Sequence, residues 1–554
     1  MFVRVKVTPN SPRKSVQIVA SLRVGDKVRQ KIVRYIGVAQ NDEELEELKL
    51  LAESIKIQME AGSQQLLMSP EKLARINLEA KAEKYASEDY QVDLRNLVEE
   101  QRIVSGIHDT YGALFSELGY DRVISNPKRN VSAASLFKDL VLARIANPAS
   151  KMASRDMLEE DFGISLPLDK IYRMMDKLDH KAIQRLKEIT YQNTLNLLGG
   201  KISVIFYDVT TLYFESFDSD ELKKCGFSKD SKHNQPQVLL ALMVTAEGLP
   251  LDYEVFPGNI YEGKTLIPAL EKISQKYNIE EVILVADSAM LSEDNILKLD
   301  SLKEKNISYI VGARLKSLPA VLKKKILDPE NYPELEPGYL VACFNYKGKK
   351  LVVSYSSRRA KKDEQDRIKA LEKLEAKLQK SKNPKSHLSN AGYRKYLKLE
   401  GESKIVLDED KIALDRAWDG LLGVITNSEM SPPEILSKYS DLFTVEDSFR
   451  LTKHDLKIRP IFHWKPRRVR AHIALCFTAY VLVKHMEHRV RLQYRKLSPE
   501  KIRQALVRVQ TSILFDKVKR IRYGLPSRLS HDARKIYDLL KVKKTITPYI
   551  IKKL

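Results

Sequence analysis

Two short apolar runs constrain this chain more than any other feature: ISVIFYD, residues 202–208, and EVILVAD, residues 281–287. Both are dense in aliphatic and β-branched side chains without polar alternation, the pattern of a strand buried on both faces. Each ends in an aspartate, Asp208 and Asp287. Between them, Val238–Thr245 and Leu249–Phe256 flank a turn at Glu247-Gly248 and predict a hairpin, and Lys264–Tyr277 predicts a helix. A helix over Glu293–Lys305 and a short strand, SYIVGA, come next. The order strand, hairpin, helix, strand, helix, strand predicts an α/β fold, a mixed sheet with flanking helices.

Such a sheet gathers chemistry just beyond its strand ends, where side chains project from a rigid edge. If the two runs are neighbours, Asp208 and Asp287 converge there. A third acid, Glu446, can be delivered by the stretch Tyr439–Trp464, YSDLFTVEDSFRLTKHDLKIRPIFHW, which follows a strand-like run, GLLGVITN. Read as one helix, that stretch puts Glu446, Arg450 and Lys453 on one face, with Leu442, Phe443, Val445, Phe449 and Leu451 opposite. Three converged carboxylates repel one another unless a cation lies between them. Hard oxygen ligands with room left for water suit Mg²⁺ or Mn²⁺. On this reading Asp208, Asp287 and Glu446 are at once the catalytic and the metal-ligating residues. Two ions about 4 Å apart would activate an attacking water or 3′-hydroxyl and stabilise the leaving oxygen. Strand-end aspartates also serve as ordinary caps and loop ligands, so everything rests on the three acids coming together.

Charge says what such a site would act on. Lys and Arg number 95 against 73 Asp and Glu, a net charge of +22. An excess of that size points to a polyanion, nucleic acid first, with a merely basic or ribosome-associated protein as the alternative. Three scattered cysteines, Cys225, Cys343 and Cys476, exclude a disulfide framework or a Cys-x-x-Cys zinc site and fit a reducing cytoplasm. The histidines show no metal-ligand spacing. The N-terminal MFVRVKVTPN lacks a signal-peptide run, and the longest apolar run, Ile473–Val483, is too short to span a bilayer. No membrane segment is expected.

The remaining chain divides by pattern. Residues 1–40 predict a small basic β meander with a turn at Gly25-Asp26. Residues 41–198 predict helices, with Asn41 as a cap, a second helix from Pro70 to about Tyr85, helix again through Leu118, and breaks at Asn147-Pro148 and Phe162-Gly163. The pair Ser150–Glu160 and Asp169–Leu178 has helix-turn-helix dimensions, for DNA-end binding or simply for packing. The sheet domain is expected from 199–313 and 419–483, interrupted by 314–418. That interruption holds the strand pair Tyr339–Phe344 and Lys350–Tyr355, a lysine-rich helix Arg359–Lys382 and a loop at Asn383-Pro384. Arg358, Arg359 and the lysines after them form either a DNA-binding face or a solvated helix, because acids interleave them. His463 reads as packing, and Trp464 as core or as a platform for a displaced base. Residues 484–554 predict a basic helical region.

YDVTTLYF, VADSAM and above all Tyr439-x2-Leu442-x3-Glu446-x6-Lys453 resemble the DDE transposases of bacterial insertion sequences. The resemblance is nearest to the insertion-sequence-four type, whose third motif is Tyr-x2-Arg-x3-Glu-x6-Lys, and it extends to RPIFHW (459–464) and RVRAHIALCFTAYVL (468–482). It implies a ribonuclease-H-like core split by a mainly β insertion, with two divalent metals on Asp208, Asp287 and Glu446. It also implies DNA contacts by Tyr439 and Lys453. Relatives nick transposon ends, release them and join the 3′-hydroxyls to target DNA. The implied partners are double-stranded DNA, as inverted-repeat ends and target, and further copies of the chain in a homodimer or higher synaptic oligomer. The implied setting is a bacterial or archaeal cytoplasm, at the nucleoid when bound. Leu442 stands where the family has arginine, and Arg450, one turn beyond Glu446, is the candidate DNA-binding replacement. Ala289 stands where relatives commonly carry glycine. Neither change removes a metal ligand. A ribonuclease-H-like nuclease without strand transfer, or a catalytically inactive domesticated DNA-binding protein, is the alternative.

Overall fold

The computed structural model describes residues 1–7, 13–24, 27–39, 41–61, 91–126, 129–215, 218–226, 234–276, 282–288, 292–301, 307–380, 396–400, 404–494 and 497–551. The expected turn at Gly25-Asp26, the helix from Pro70, the loop at Asn383-Pro384 and Ala289 lie outside them. The chain forms two compact units: Met1–Glu99 with Leu514–Tyr523 and Ile550–Leu554, and Glu100–Ile513 with Gly524–Tyr549.

In the first unit, β1 (Phe2–Val7), β2 (Lys14–Val24) and β3 (Lys27–Ala39) make the antiparallel meander, and α1 (Asp42–Ala61) packs on it. The alternation read from sequence becomes a small core of Val16, Ile18, Ala39, Leu45 and Ala52, with Val3 and Val5 against it. Asn41 caps α1 by accepting the Glu44 amide at 2.8 Å.

The second unit opens with α2 (Gly106–Glu117), α3 (Val131–Ala146), α4 (Lys151–Glu160), α5 (Leu168–Lys177) and α6 (His180–Leu197). Its breaks fall at Asn147-Pro148 and Phe162-Gly163, as expected, and the side chains of Ser150 and Asp179 cap α4 and α6. Leu97–Val104, expected as helix, is a strand. Its end is held by tertiary hydrogen bonding, with the Val104 amide donating to the Asp161 carbonyl at 2.7 Å, and such pairing outweighs a weak helix preference. The helical region expected over 484–554 likewise contains two strands, Gln510–Asp516 and Arg522–Pro526. The Asp516 carboxylate accepts the amides of Val518 and Lys519 and so fixes the turn between them.

The rest of this unit is built on one nine-stranded mixed sheet. Its strands are β4 (Val204–Tyr213), β5 (Gln237–Thr245), β6 (Pro250–Pro257), β7 (Val282–Ala286), β8 (Ile307–Gly312), β9 (Glu334–Glu336), β10 (Tyr339–Tyr346), β11 (Lys349–Ser356) and β12 (Leu421–Thr426). They run in the order β9-β10-β11-β12-β8-β7-β4-β5-β6. β4, β7 and β8 are parallel neighbours and the other pairings are antiparallel, the ribonuclease-H-like arrangement predicted. Side chains alternate between two cores: Val204, Phe206, Leu212 and Val285 on one face, Ile205, Tyr207, Val209, Leu284 and Ala286 on the other. Helices α7 (Leu266–Lys276) and α8 (Glu293–Ser301) connect β6, β7 and β8. The stretch 314–418 contributes β9, β10 and β11, which extend the main sheet, followed by α9 (Ser357–Lys380). No helix among the described residues is long and apolar enough to cross a membrane.

Candidate active site

The register decides where the aspartates go. β4 and β7 run parallel with Tyr207 beside Ala286, so Asp208 and Asp287 follow as neighbours, one residue past the last pair. Adjacent strands lie about 4.8 Å apart, so both backbones deliver their carboxylates to one edge. By strand alternation, Asp208 belongs with Val204 and Phe206, and Asp287 with Val285, so the two share a face. Each carboxylate is pinned by the next amide: Val209 donates to Asp208 Oδ1 at 2.7 Å, and Ser288 donates to Asp287 Oδ1 at 2.6 Å.

The motif stretch, expected as one helix, is three pieces. Tyr439 ends α10 (Pro432–Ser440), Glu446 sits in α11 (Phe443–Arg450), and Lys453 lies in a π-helical turn, Leu451–Asp455. Beyond it the RPIFHW stretch is irregular, until α12 (Pro466–Gln493) begins. The break falls at Asp441-Leu442, where Leu442, 9% exposed, turns inward with Val445, Phe449 and Leu451 to seat α11 on the sheet. Phe443, expected on that apolar face, is instead 57% exposed, because the break rotates it outward. Helix α11 packs against β4 and β5, on the face that Asp208 shares, and leaves Glu446 exposed beside it.

Tyr439 ties the acids together. Burial, then Asp287, Glu446 and Asp208, push its phenol well above the ordinary range, while Arg359 opposes them. One hydroxyl therefore lies in the field of three carboxylates carried by three separate elements, and it stays protonated at any physiological pH. Its position depends on Gly312 at the end of β8. A β-carbon there would stand 2.3 Å from Tyr439 Oη and 2.9 Å from the Ser288 nitrogen, beside Asp287. Gly312→Ala is therefore expected to displace the phenol and cut turnover by about tenfold, since misplacing a positioning group by about 1 Å costs that much or more. Single-turnover kinetics would check it, with unchanged thermal stability separating displacement from misfolding.

The sequence leaves Arg359 open between a DNA-binding face and a solvated helix, because acids interleave its basic neighbours. Topology brings it in. β11 is antiparallel to β12 and β12 to β8, so β11 runs in the same direction as β8, β7 and β4. Arg359, three residues past the end of β11, thus emerges at the edge that carries Asp208 and Asp287. It lines a cleft of about 600 Å³ with Asp287, Ser288, Arg314, Lys316 and Tyr439. Its own carboxylate neighbour, Asp363, is 3.7 Å away.

Arg450 pairs with Asp447 at 3.2 Å on the exposed side of α11. Lys453 is half-buried, with its ammonium 5.7 Å from the Phe449 ring centre. His463 is buried against Tyr172 and His472, as expected of packing, whereas Trp464 is 67% exposed and is no core residue. The helix pair Ser150–Glu160 and Leu168–Lys177 stands where expected and packs on α3. Asp208 and Asp287 are neighbours by register, but among the described residues no three Asp, Glu, His or Cys groups stand close enough to enclose a metal ion.

Residues 199–482 match the family profile of the transposase DDE domain, and residues 3–65 match the N-terminal domain of the IS1634 family transposases. No curated protein matches the chain. Among solved structures, the piggyBac transposase synaptic complex with hairpin DNA aligns at 10% identity and a TM-score of 0.38, covering 72% of this chain and 76% of that one. The Mos1 transposase paired-end complex with left transposon end aligns at 14% identity and a TM-score of 0.14, covering 52% and 81%. Scores this low say nothing of the chain's fold beyond what its own topology does.

Proposed function

The chain belongs to the transposase DDE-domain family, and from that premise we propose that it cleaves the ends of a transposon and joins them to target DNA, as a member of the insertion-sequence-four type. The observation that carries this reading is the register that sets Asp208 and Asp287 on neighbouring strands, with the helix that bears Glu446 packed against the same strand as Asp208.

Asp208, Asp287 and Glu446 are the residues that would hold two Mg²⁺ or Mn²⁺ ions. The donor set is all oxygen, with Asp208 and Asp287 one residue past the last parallel pair of β4 and β7 and Glu446 exposed on the helix packed against β4. When bound, the ions supply Lewis acidity, which sharpens the attacking oxygen and neutralises charge on the leaving one. The chain's own groups do the positioning. The aspartates are held by their following amides, the protonated Tyr439 hydroxyl can donate to a phosphate oxygen, and Arg359 brings fixed positive charge to the cleft. Lys453 would hold the DNA strand beyond the cut. Arg450, engaged with Asp447, is the weaker candidate for replacing the motif arginine. Double-stranded DNA and further copies of the chain, needed to hold two ends together, are the partners. The division into a β meander, a helical end-binding region and a core interrupted at 314–418 belongs to the same proposal.

The test uses DNA carrying the inverted repeats that flank the gene, with Mg²⁺ or Mn²⁺ and a target plasmid. Nicks at the repeat ends and covalently joined products are expected. Nicks without joining would favour the nuclease reading, and DNA binding without nicks the inactive one.

A further inference from the structure

A second basic site lies apart from the carboxylates, around Lys151. This lysine opens α4 yet is only 6% exposed. Among the described residues its one hydrogen-bond partner is His472 Nδ1, at 3.2 Å. His472 Nε2 faces the Ile458 carbonyl at 3.0 Å, which assigns the ring proton to Nε2 and leaves Nδ1 to accept from Lys151. Beside it, Arg144, 3% exposed, donates to the carbonyls of Leu456, Lys457 and Ala149 at 2.8, 3.0 and 2.8 Å. Neither cation has a carboxylate within ion-pairing distance among the described residues. Two buried positive charges satisfied only by neutral groups are costly, and buried charges are ordinarily paired.

Both line a cavity of about 670 Å³, whose rim carries Lys457, Arg459 and exposed Phe462. Arg459 stacks at 5.9 Å on Tyr213, the last residue of the strand that carries Asp208. RPIFHW thus forms one wall of a cavity holding positive charge and no acid.

We infer that this cavity binds a backbone phosphate of DNA, with the Lys151 ammonium as its principal donor. A phosphodiester oxygen supplies the anion the site lacks, and the rim cations suit the charges that flank it on a nucleic acid strand. Burial, followed by Arg144, pulls Lys151 down to about 7, while Cys476 acts weakly the other way. Burial holds the neighbouring His463 down to about 3 and His472 well below its usual range, so neither ring gains a proton near neutrality; Arg144, Lys457, Arg459, Tyr172 and Cys476 also face the cavity or Lys151. The sign follows. The charged form that binds phosphate is populated below pH 7 and lost above it, so affinity falls as pH rises.

The experiment compares wild type with Lys151→Met, which keeps the volume and removes the buried charge, and with Met152→Glu. Met152 lines the same cavity but is 57% exposed, so a carboxylate there competes for the site without burdening the fold. Duplex DNA binding is measured by anisotropy at pH 6.0 and 8.0 across a salt series. Thermal stability is measured with sodium sulfate, a tetrahedral anion that does not titrate in this range. Wild-type affinity should fall by about tenfold between the two pH values, as the protonated fraction falls from about 0.9 to about 0.1. Both variants should bind like wild type at the higher pH, with a salt slope smaller by about one phosphate contact. Sulfate should stabilise wild type at pH 6.0 and neither variant. Unchanged affinity and salt slope in both variants overturn the site. Sulfate protection that depends on Lys151, without any effect on DNA, overturns the DNA assignment in favour of a free anion. The inference rests on the chain's handling of DNA, but the two fail separately. If wild type binds no duplex, the transposase reading falls, whereas duplex binding indifferent to Lys151 removes only this site.

Discussion

Asp208→Asn should abolish end cleavage while leaving DNA binding within about twofold of wild type. Asparagine keeps the oxygen that accepts the Val209 amide at 2.7 Å, so the local backbone and the side-chain rotamer survive. What disappears is one negative charge of three, and with it a ligand for a divalent cation. Stabilising the transition state of phosphodiester displacement this way is worth several kcal/mol, and about 4 kcal/mol corresponds to a thousandfold in rate. Cleavage should therefore fall by about a thousandfold or more in Mg²⁺, measured as nicked product from a labelled end. Binding, read by anisotropy, should be spared, because Asp208 repels rather than attracts the backbone. Cleavage within tenfold of wild type would sink the metal-site assignment.

The second large effect is expected at Arg359. Arg359→Ala should slow cleavage by about ten- to a hundredfold, the loss expected when a charge-assisted hydrogen bond of about 1.5–3 kcal/mol is removed. The loss should not appear as instability. Its contact with Asp363 is long and solvent-exposed, at 3.7 Å, and such surface pairs contribute little. A substrate with a neutral methylphosphonate beside the scissile bond separates the explanations. If Arg359 meets that phosphate, wild type on the modified DNA should slow to the level of the variant, and the variant should lose little more. Arg450→Ala, which breaks only a surface pair with Asp447, should stay within about twofold. Equal losses at both positions, or additive losses with the modified DNA, would return the role to an unidentified group.

How much of this was legible follows from how local each signal is. ISVIFYD and EVILVAD announce buried strands because their composition admits little else, and β4 and β7 lie there; Asp287 follows the end of β7 as expected, whereas β4 runs on to Tyr213 and carries Asp208 at its middle, one residue past its last pair with β7. Helix breaks at Asn147-Pro148 and Phe162-Gly163 are equally local, since proline and glycine act on their own backbone. The motif stretch misled because spacing alone cannot distinguish a continuous helix from two helices, a break and a π-helical turn. The turn at Leu442 is made by its burial in the core, which is a tertiary fact. Arg359 could be raised from sequence but not decided, for a stronger reason. Its place at the site depends on two antiparallel pairings across β11, β12 and β8, and no pattern within α9 records them. The strand at 97–104 was missed likewise, its sheet neighbour being distant in sequence.

That same pairing has a mechanical consequence. Six residues of β11, Lys350 to Tyr355, are registered against Leu421–Thr426 of β12, which is itself registered against β8. The wall that carries Arg359 is therefore woven into the sheet, and it could swing open like a lid only by tearing that ladder of hydrogen bonds. If the proposed DNA substrate is bound there, the adjustment of fit falls to the DNA and to side chains such as Arg359, since the strands behind them are locked in register.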